Sequence, residues 1–178
     1  LKARWRMPVR AGYSGPAVAD GRIFISDWLE DPESRTLDGT ERALALDELT
    51  GEILWTHEWQ TSYRMLSISY AVGPRATPTV DGDRVYVVGG TGRLFCFDVE
   101  TGDVLWEKDY VADYDTSVPV WGIVSGPLVD GDLLITVVGG EPDAGVVAFN
   151  KYTGEEIWRA IEVGSEMGYA QPVIYEAG

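Results

Sequence analysis

The sequence contains little cysteine or histidine: each occurs once among 178 residues, as Cys96 and His57. One cysteine excludes a disulfide within this sequence and a zinc site built from several cysteines. The apolar runs are much shorter than the roughly 20 residues that a membrane-spanning helix needs. The first residues also lack the basic stretch and apolar core of a signal peptide. We therefore expect no membrane span in this segment.

Positive charge is also scarce, with 14 Lys and Arg residues against 29 Asp and Glu residues, a net charge of −15. This balance opposes binding to nucleic acid or to an anionic membrane surface, because both are polyanions. Cations, cationic peptides and neutral polymers remain compatible with it. Hydrophobic residues make up 45% of the sequence, which is enough to bury a core.

Helical periodicity is absent over any useful length, and the sequence instead repeats about every fifty residues. An eleven-residue motif occurs three times without gaps, at 45–55, 96–106 and 148–158. From Trp55 to Trp106 is 51 positions, and from Trp106 to Trp158 is 52. Trp5 is expected to end an earlier copy. A period of this length with regular Gly and aromatic residues is typical of β-propeller blades.

A second unit recurs upstream of each motif, in which an Asp-Gly pair separates two apolar runs. The pairs are Asp20-Gly21, Asp81-Gly82 and Asp130-Gly131. Asp and Gly tolerate the positive φ of tight turns, so this pattern predicts hairpins. Each repeat then supplies four strands, A to D, where A and B flank the Asp-Gly turn and C and D flank the Thr-Gly turn. The prediction is an all-β propeller of four-stranded antiparallel blades.

The sequence covers about three and a half blades in this interpretation. The predicted bounds are a blade remnant at 1–8, blade one at 13–59, blade two at 76–108, blade three at 126–161 and the start of the next blade at 170–178. Three blades cannot close a ring, and an open arc would expose strand edges and blade faces. We therefore expect the remaining blades to come from a longer chain or from self-association.

The Thr-Gly motif has a structural explanation. Its Asp or Asn can accept hydrogen bonds from backbone N–H groups two residues on, and its Gly can adopt the left-handed conformation. The tryptophan offers a large flat surface for the contact between adjacent blades. The residues assigned to this structural role are Asp47, Thr50, Gly51, Trp55, Asp98, Thr101, Gly102, Trp106, Asn150, Thr153, Gly154 and Trp158.

On these residues, the sequence resembles the pyrroloquinoline-quinone-like propeller superfamily, whose blades carry an Ala-x-Asp-x-x-Thr-Gly-x-x-x-Trp docking motif. Cys96 replaces the motif Ala and Asn150 replaces the Asp. The superfamily includes quinoprotein alcohol and glucose dehydrogenases and the outer-membrane β-barrel assembly lipoprotein. The stretches 73–80 and 120–122 are most similar to cofactor-free exported bacterial members. The resemblance implies a periplasmic or cell-surface location.

The two ends of the predicted blades differ in their connections. The A–B and C–D turns share one end and are tight, whereas the B–C and D–A connections share the other end, which has the long segments 28–40, 59–75, 109–125 and 161–169. Binding groups concentrate in long loops on a rigid scaffold, so the long-loop face is the candidate site. Aromatic and cationic residues there suit a sugar, a peptide, a quinone or a carboxylate, although packing between blades is an alternative role. The candidates are Tyr63, Arg64, Tyr70, Arg75, Trp121 and Tyr169.

Other chemistry-bearing residues favour structural roles. His57 alternates with Trp55 and Trp59 and is expected to pack on the same strand face. Acidic residues cluster at 27–33 and 109–115 without the spacing of a calcium loop, so no metal site is predicted. The Gly-rich run at 89–92 lacks the lysine and helix of a phosphate-binding loop and is expected to be a short turn.

Two functions remain open. The first is a non-catalytic exported scaffold or binding protein that engages a protein or polysaccharide through the long-loop face, with no cofactor. The alternative is a fragment of a dehydrogenase that uses pyrroloquinoline quinone and calcium. Family enzymes of that class commonly place an adjacent Cys-Cys pair against the cofactor, whereas Cys96 stands alone between Phe95 and Phe97. This difference favours the scaffold.

Overall fold

The computed structural model describes residues 2–66, 72–164 and 166–175, which contain three antiparallel four-stranded sheets. Each sheet is one blade, and its strands follow one another in chain order. The strands are β1 (Ala17–Ala19), β2 (Arg22–Glu30), β3 (Asp38–Asp47) and β4 (Ile53–Ser62) in blade one, β5 (Thr79–Asp81), β6 (Arg84–Val88), β7 (Arg93–Asp98) and β8 (Val104–Asp109) in blade two, and β9 (Leu128–Asp130), β10 (Leu133–Gly140), β11 (Ala144–Asn150) and β12 (Glu156–Ala160) in blade three. The predicted all-β class with four-stranded blades is confirmed.

A short helix, α1 (Tyr110–Tyr114), interrupts the connection between blades two and three. Asp109 caps it by accepting hydrogen bonds from the backbone N–H groups of Val111 and Ala112. Five residues are too few to produce a helical period in the sequence, which is why the repeat did not predict this element. Within the described residues, no helix is both long enough and apolar enough to cross a membrane.

The A–B turns are tight hairpins, but their registers differ. In blade one Ala19 pairs with Arg22, so Asp20 and Gly21 form the turn, both with positive φ. In blade two Asp81 pairs with Arg84, so the turn shifts by one residue to Gly82 and Asp83. Blade three repeats the shifted form. The Asp-Gly signal predicted the hairpins, while the pairing of the flanking strands decides which two residues turn.

The C–D turns are the same in all three blades. Asp47 Oδ1 accepts hydrogen bonds from the N–H groups of Leu49 and Thr50 at 2.9 and 2.7 Å. Gly51 follows with a φ of 76°. The same two side-chain bonds form at Asp98 and at Asn150. Because an amide oxygen accepts as a carboxylate oxygen does, the Asn preserves this turn.

Trp5, Trp55 and Trp106 each pack on the next copy of the motif. A Cβ added to Gly102 would lie 2.6 Å from the Trp55 ring, and Trp55 Nε1 donates to the Val99 carbonyl at 3.1 Å. The same contacts join Trp106 to Gly154 and the Lys151 carbonyl. Trp5 makes them with Gly51 and the Glu48 carbonyl. The tryptophan thus connects one blade to the following one.

The core lies between the blades, and the sheet of blade two buries both of its faces. Along β7, Phe95 and Phe97 face blade one, whereas Leu94 and Cys96 pack in the cluster shared with blade three. The first strands of neighbouring blades lie beside one another, and Thr79 Oγ1 donates to the Pro127 carbonyl at 2.6 Å. These first strands are therefore the inner strands of the propeller arc, and the loops leading into them are grouped together.

Candidate functional site

One position recurs at the entrance to the inner strands, three residues before a proline. It belongs to the D–A connections and therefore lies on the long-loop face. The residues at this position are Tyr13, Arg75, Val124 and Tyr169, before Pro16, Pro78, Pro127 and Pro172. The residue type at this position changes from repeat to repeat, which is the pattern expected where a scaffold presents variable groups.

Arg75 lies among aromatic rings at this entrance. Its guanidinium carbon is 5.2 Å from the ring centre of Tyr13 and 5.8 Å from that of Trp121. Both distances are within the range of a cation–π contact. The arginine belongs to the connection before blade two, Tyr13 to the segment before blade one, and Trp121 to the connection before blade three. One cation thus joins three successive loops.

Tyr169 extends this group toward the end of the described chain. The backbone of Trp121 hydrogen-bonds its hydroxyl, while burial and the charge of Glu166 raise its pKa. Glu166 Oε1 also accepts a hydrogen bond from the Val120 N–H at 3.2 Å. Tyr13 and Tyr169 remain 56% and 40% exposed. We call Tyr13, Arg75, Trp121 and Tyr169 the Arg75 cluster.

An apolar groove of about 360 Å³ opens on the same face. It is lined by Ser62, Met65, Leu66, Thr91, Val111, Thr116, Ser117 and Val118. Met65 is 75% exposed, and its flexible thioether side chain can adapt to different apolar partners. Leu66 lies 3.4 Å from the Cβ position of Gly122, the residue after Trp121. The groove and the Arg75 cluster are therefore neighbours.

Three of the six candidates from the sequence, Arg75, Trp121 and Tyr169, come together in this cluster. Tyr63 is fully buried, and its ring stacks on Trp28 with centres 4.8 Å apart. Arg64 is exposed and lies close enough to Asp38 to contribute to the lowered pKa of that carboxyl, which is due mainly to hydrogen bonds from hydroxyls led by Ser62. Tyr70 lies outside the described residues.

Tyr63 is buried because it binds a carboxyl that the sequence analysis missed. Glu41, on β3, is fully buried and accepts hydrogen bonds from Trp59 Nε1 at 2.7 Å, from the Tyr63 hydroxyl and from the Gly90 N–H at 2.8 Å. Burial raises the pKa of Glu41, and the three hydrogen bonds oppose that rise. The equivalent positions of the other repeats are Gly92 and Ala144. The sequence signal for this buried carboxyl was that a glutamate stands where the other two repeats have a small residue.

The remaining titratable groups singled out in the sequence are used for packing. The His57 ring lies 5.2 Å from Phe95 and 5.0 Å from Phe97, and burial lowers its pKa. Cys96 is buried, which raises the pKa of its thiol to about 12.

Asp27 is an acidic residue with an internal partner. It pairs with Arg42, whose Nε and Nη2 donate to the two carboxylate oxygens at 2.9 and 2.7 Å. Across 2–66, 72–164 and 166–175, no three His, Cys, Asp or Glu side chains form a group suited to a metal ion. Both carboxylate oxygens of Asp27 are therefore hydrogen-bonded to the Arg42 guanidinium.

The repeated blades and their shared inner entrance define an arc of a β-propeller. Residues 39–175 match the family model of PQQ-like repeats described as "Outer membrane protein assembly factor BamB". The chain belongs to this family of PQQ-like β-propeller repeats. The resemblance inferred from the Trp motifs is confirmed.

Curated relatives fall into two groups. The quinohemoprotein alcohol dehydrogenase ADH IIB of Pseudomonas putida is 28% identical over 168 residues, which is 91% of this chain and 22% of the relative. The outer membrane protein assembly factor BamB of Shewanella oneidensis is 26% identical over 145 residues, 80% of this chain and 31% of the relative. This chain therefore spans less than a third of the length of either relative.

A solved structure shows the same fold. The quinohemoprotein alcohol dehydrogenase from Comamonas testosteroni superimposes with a TM-score of 0.58 at 22% sequence identity. The match covers 85% of this chain and 21% of that enzyme. The similarity extends to the arrangement of the blades.

Proposed function

We propose that this chain is part of a β-propeller that acts as a non-catalytic binding scaffold and binds a protein through its long-loop face. The observation that carries the proposal is the Arg75 cluster beside the apolar groove. A guanidinium among aromatic rings suits a carboxylate or an aromatic group, and the groove suits an apolar side chain. Arginine and aromatic residues are also enriched at the energetically important centres of protein interfaces.

The use of the titratable side chains supports a non-catalytic role for this segment. A raised pKa keeps the Cys96 thiol protonated and poorly nucleophilic. His57 packs against aromatic rings of the adjacent blade. Glu41 is enclosed by three hydrogen-bond donors. These groups stabilise contacts between blades, whereas Tyr13 and Tyr169 of the Arg75 cluster are exposed and available to a partner.

The proposed partner is a protein because the family model and one group of relatives are named for outer membrane protein assembly. The proposed location is accordingly the periplasm or the cell surface. A polysaccharide is the alternative ligand, since aromatic rings also stack on sugars. In the proposal, the blades that complete the ring come from a longer chain or from further copies.

Photo-cross-linking tests the proposed face. A photoreactive phenylalanine analogue would replace Tyr13 or Tyr169 in the intact protein in its own cells, and Tyr152 would be the control. Tyr152 is 45% exposed and lies on a C–D turn at the opposite end. We expect discrete protein adducts from the first two positions and a loss of at least about fivefold with Arg75→Ala. Equal adducts from Tyr152, or adducts to polysaccharide alone, would contradict the proposal.

A quinone-dependent dehydrogenase is the second candidate, favoured by the similarity to quinohemoprotein alcohol dehydrogenases. The Arg75 cluster offers a cation and flat rings, which fit a planar quinone bearing carboxylates. Calcium would need several oxygen ligands, and among the described residues no three Asp, Glu, His or Cys side chains come together to supply them. The Arg75 cluster thus fits the quinone, which Arg75 and Trp121 would hold. When bound, the quinone would accept electrons from an alcohol.

A further inference from the structure

We propose that Glu41 is a positioning residue for the long-loop face. Its buried carboxyl fixes the Gly89–Gly90 turn of blade two, and this turn fixes the segment that presents Trp121. The inference rests on the proposed function, because it concerns the geometry of the same binding face.

Glu41 lies at the contact between blades one and two. Glu41 belongs to blade one, and its Oε2 accepts from Trp59 Nε1 of the same blade at 2.7 Å. Its Oε1 accepts from the Gly90 N–H of blade two at 2.8 Å and from the Tyr63 hydroxyl. The carboxyl is fully buried, so water does not compete for these bonds. It therefore holds the turn of the neighbouring blade in one position.

The Gly89–Gly90 turn fits closely against the Glu41 carboxyl. A Cβ at position 89 would lie 2.3 Å from Glu41 Oε2. A Cβ at position 90 would lie 2.8 Å from the Tyr63 hydroxyl and 3.1 Å from Glu41 Oε1. The backbone approaches the carboxyl more closely than any residue with a side chain allows. A side chain at either position would therefore displace the Glu41 carboxyl or the Tyr63 hydroxyl.

A hydrogen bond joins the Gly89–Gly90 turn to the segment that contains Trp121 of the Arg75 cluster. The Gly90 carbonyl accepts a hydrogen bond from the Ile123 N–H at 2.9 Å, and a Cβ on Gly122 would lie 2.7 Å from the same oxygen. Gly122 N–H also donates to the Pro119 carbonyl at 2.8 Å, which closes the turn containing Trp121. Gly90 thus contacts Glu41 through its N–H and the Trp121 turn through its carbonyl.

The test compares two tyrosine-to-phenylalanine variants that each remove one buried hydroxyl. Tyr63→Phe removes the bond to Glu41, whereas Tyr86→Phe removes a 3.0 Å bond to the Lys151 carbonyl at the opposite end. Glu41→Gln places an N–H₂ group where only donors face the side chain. We expect Tyr63→Phe and Glu41→Gln to speed amide exchange of Ile123 about tenfold. Tyr86→Phe should leave it unchanged.

A spectroscopic readout reports on the ring that the turn presents. With 5-fluorotryptophan incorporated in the intact protein, the ¹⁹F resonance of Trp121 is assigned by its loss in Trp121→Phe. We expect the Trp121 resonance to shift or broaden in Tyr63→Phe and Glu41→Gln and to stay in place in Tyr86→Phe. The Trp106 resonance is the internal control in Tyr63→Phe and Glu41→Gln, because that ring packs at the opposite end. In Tyr86→Phe the Trp106 resonance should shift, because the Tyr86 hydroxyl and Trp106 Nε1 donate to the same Lys151 carbonyl.

Unchanged Ile123 exchange and an unchanged Trp121 resonance in folded Tyr63→Phe and Glu41→Gln would overturn the positioning role. If Glu41→Gln does not fold, Tyr63→Phe decides alone. Faster exchange with a shifted Trp121 resonance supports the role. If these changes occur while cross-linking from Tyr13 stays at the wild-type level, the positioning role stands and the proposed binding at this face fails.

Discussion

The two ends of the blades are held together in different ways. At the short-turn end the same contact occurs three times, with a tryptophan on a glycine and its N–H on a carbonyl. At the long-loop end each junction is different. Glu41 joins blades one and two, whereas the Glu141 N–H donates to the Tyr114 carbonyl between blades two and three. Because the repeated contacts at the short-turn end stabilise the arc, the residues at the long-loop end can vary and form a binding site.

Replacing a motif glycine should have the largest effect on the repeated end. Gly102 has a φ of 76° and has no space for a Cβ because of Trp55. We expect Gly102→Ala to lower the free energy of unfolding by about 3 kcal/mol, from backbone strain and displacement of the indole. Urea denaturation measures this loss.

Gly82→Ala is the matched control. Gly82 also has a positive φ, 58°, but a Cβ there would contact nothing within 4 Å. Gly82→Ala should therefore lower the free energy of unfolding only by the backbone strain, about 1 kcal/mol. Equal losses for the two variants would show that the indole contact does not stabilise the arc.

Removing the buried carboxyl tests the long-loop end. Glu41→Ala leaves three buried donors without an acceptor and should cost about 2–3 kcal/mol. Because the pKa of Glu41 is raised in the fold, wild-type stability should fall as pH increases from the ordinary carboxyl pKa to the raised one. Glu41→Gln should remove this slope. If wild-type stability instead rose with pH in that range, and this rise were absent from Glu41→Gln, the raised pKa of Glu41 would be contradicted.

Asp98 should show the opposite pH dependence at the repeated end. Hydrogen bonds, chiefly from the Thr101 N–H, lower its pKa, so its contribution is present above the ordinary carboxyl pKa and is lost as pH falls through the lowered one. Asp98→Asn should keep neutral-pH stability within about 1 kcal/mol, because Asn150 makes the same bonds. Stability measured by urea denaturation against pH should have a shallower acid-side slope in this variant, because Asp47 and Glu156 also have lowered pKa values and keep their own contributions. A large loss at neutral pH would show that the charge itself is required.

Cys96 should give the smallest effect. Ala45 and Ala148 occupy the equivalent positions of the other repeats, so Cys96→Ala should cost only about 1 kcal/mol. The buried thiol, with a pKa of about 12, should react with iodoacetamide only after unfolding. Rapid alkylation of the folded protein would contradict its placement between blades.

The same comparison explains what the sequence could predict. The Trp motif and the Asp-Gly pairs recur, so their hairpins and their four-stranded blades followed from local turn chemistry. Glu41, helix α1 and the burial of Tyr63 do not recur. They depend on which loops meet when the blades pack, and a sequence pattern carries no information on that pairing. The Arg75 cluster was partly predicted, because Arg75, Trp121 and Tyr169 were chosen for their residue types alone.

The most direct test of the scaffold assignment is a titration of the folded protein with pyrroloquinoline quinone and calcium, followed by tryptophan fluorescence. Trp121 lies in the Arg75 cluster, so a quinone bound there would quench its emission. The account predicts no saturable, calcium-dependent quenching. Saturable quenching that requires calcium and is abolished by Arg75→Ala would contradict it and would favour the dehydrogenase.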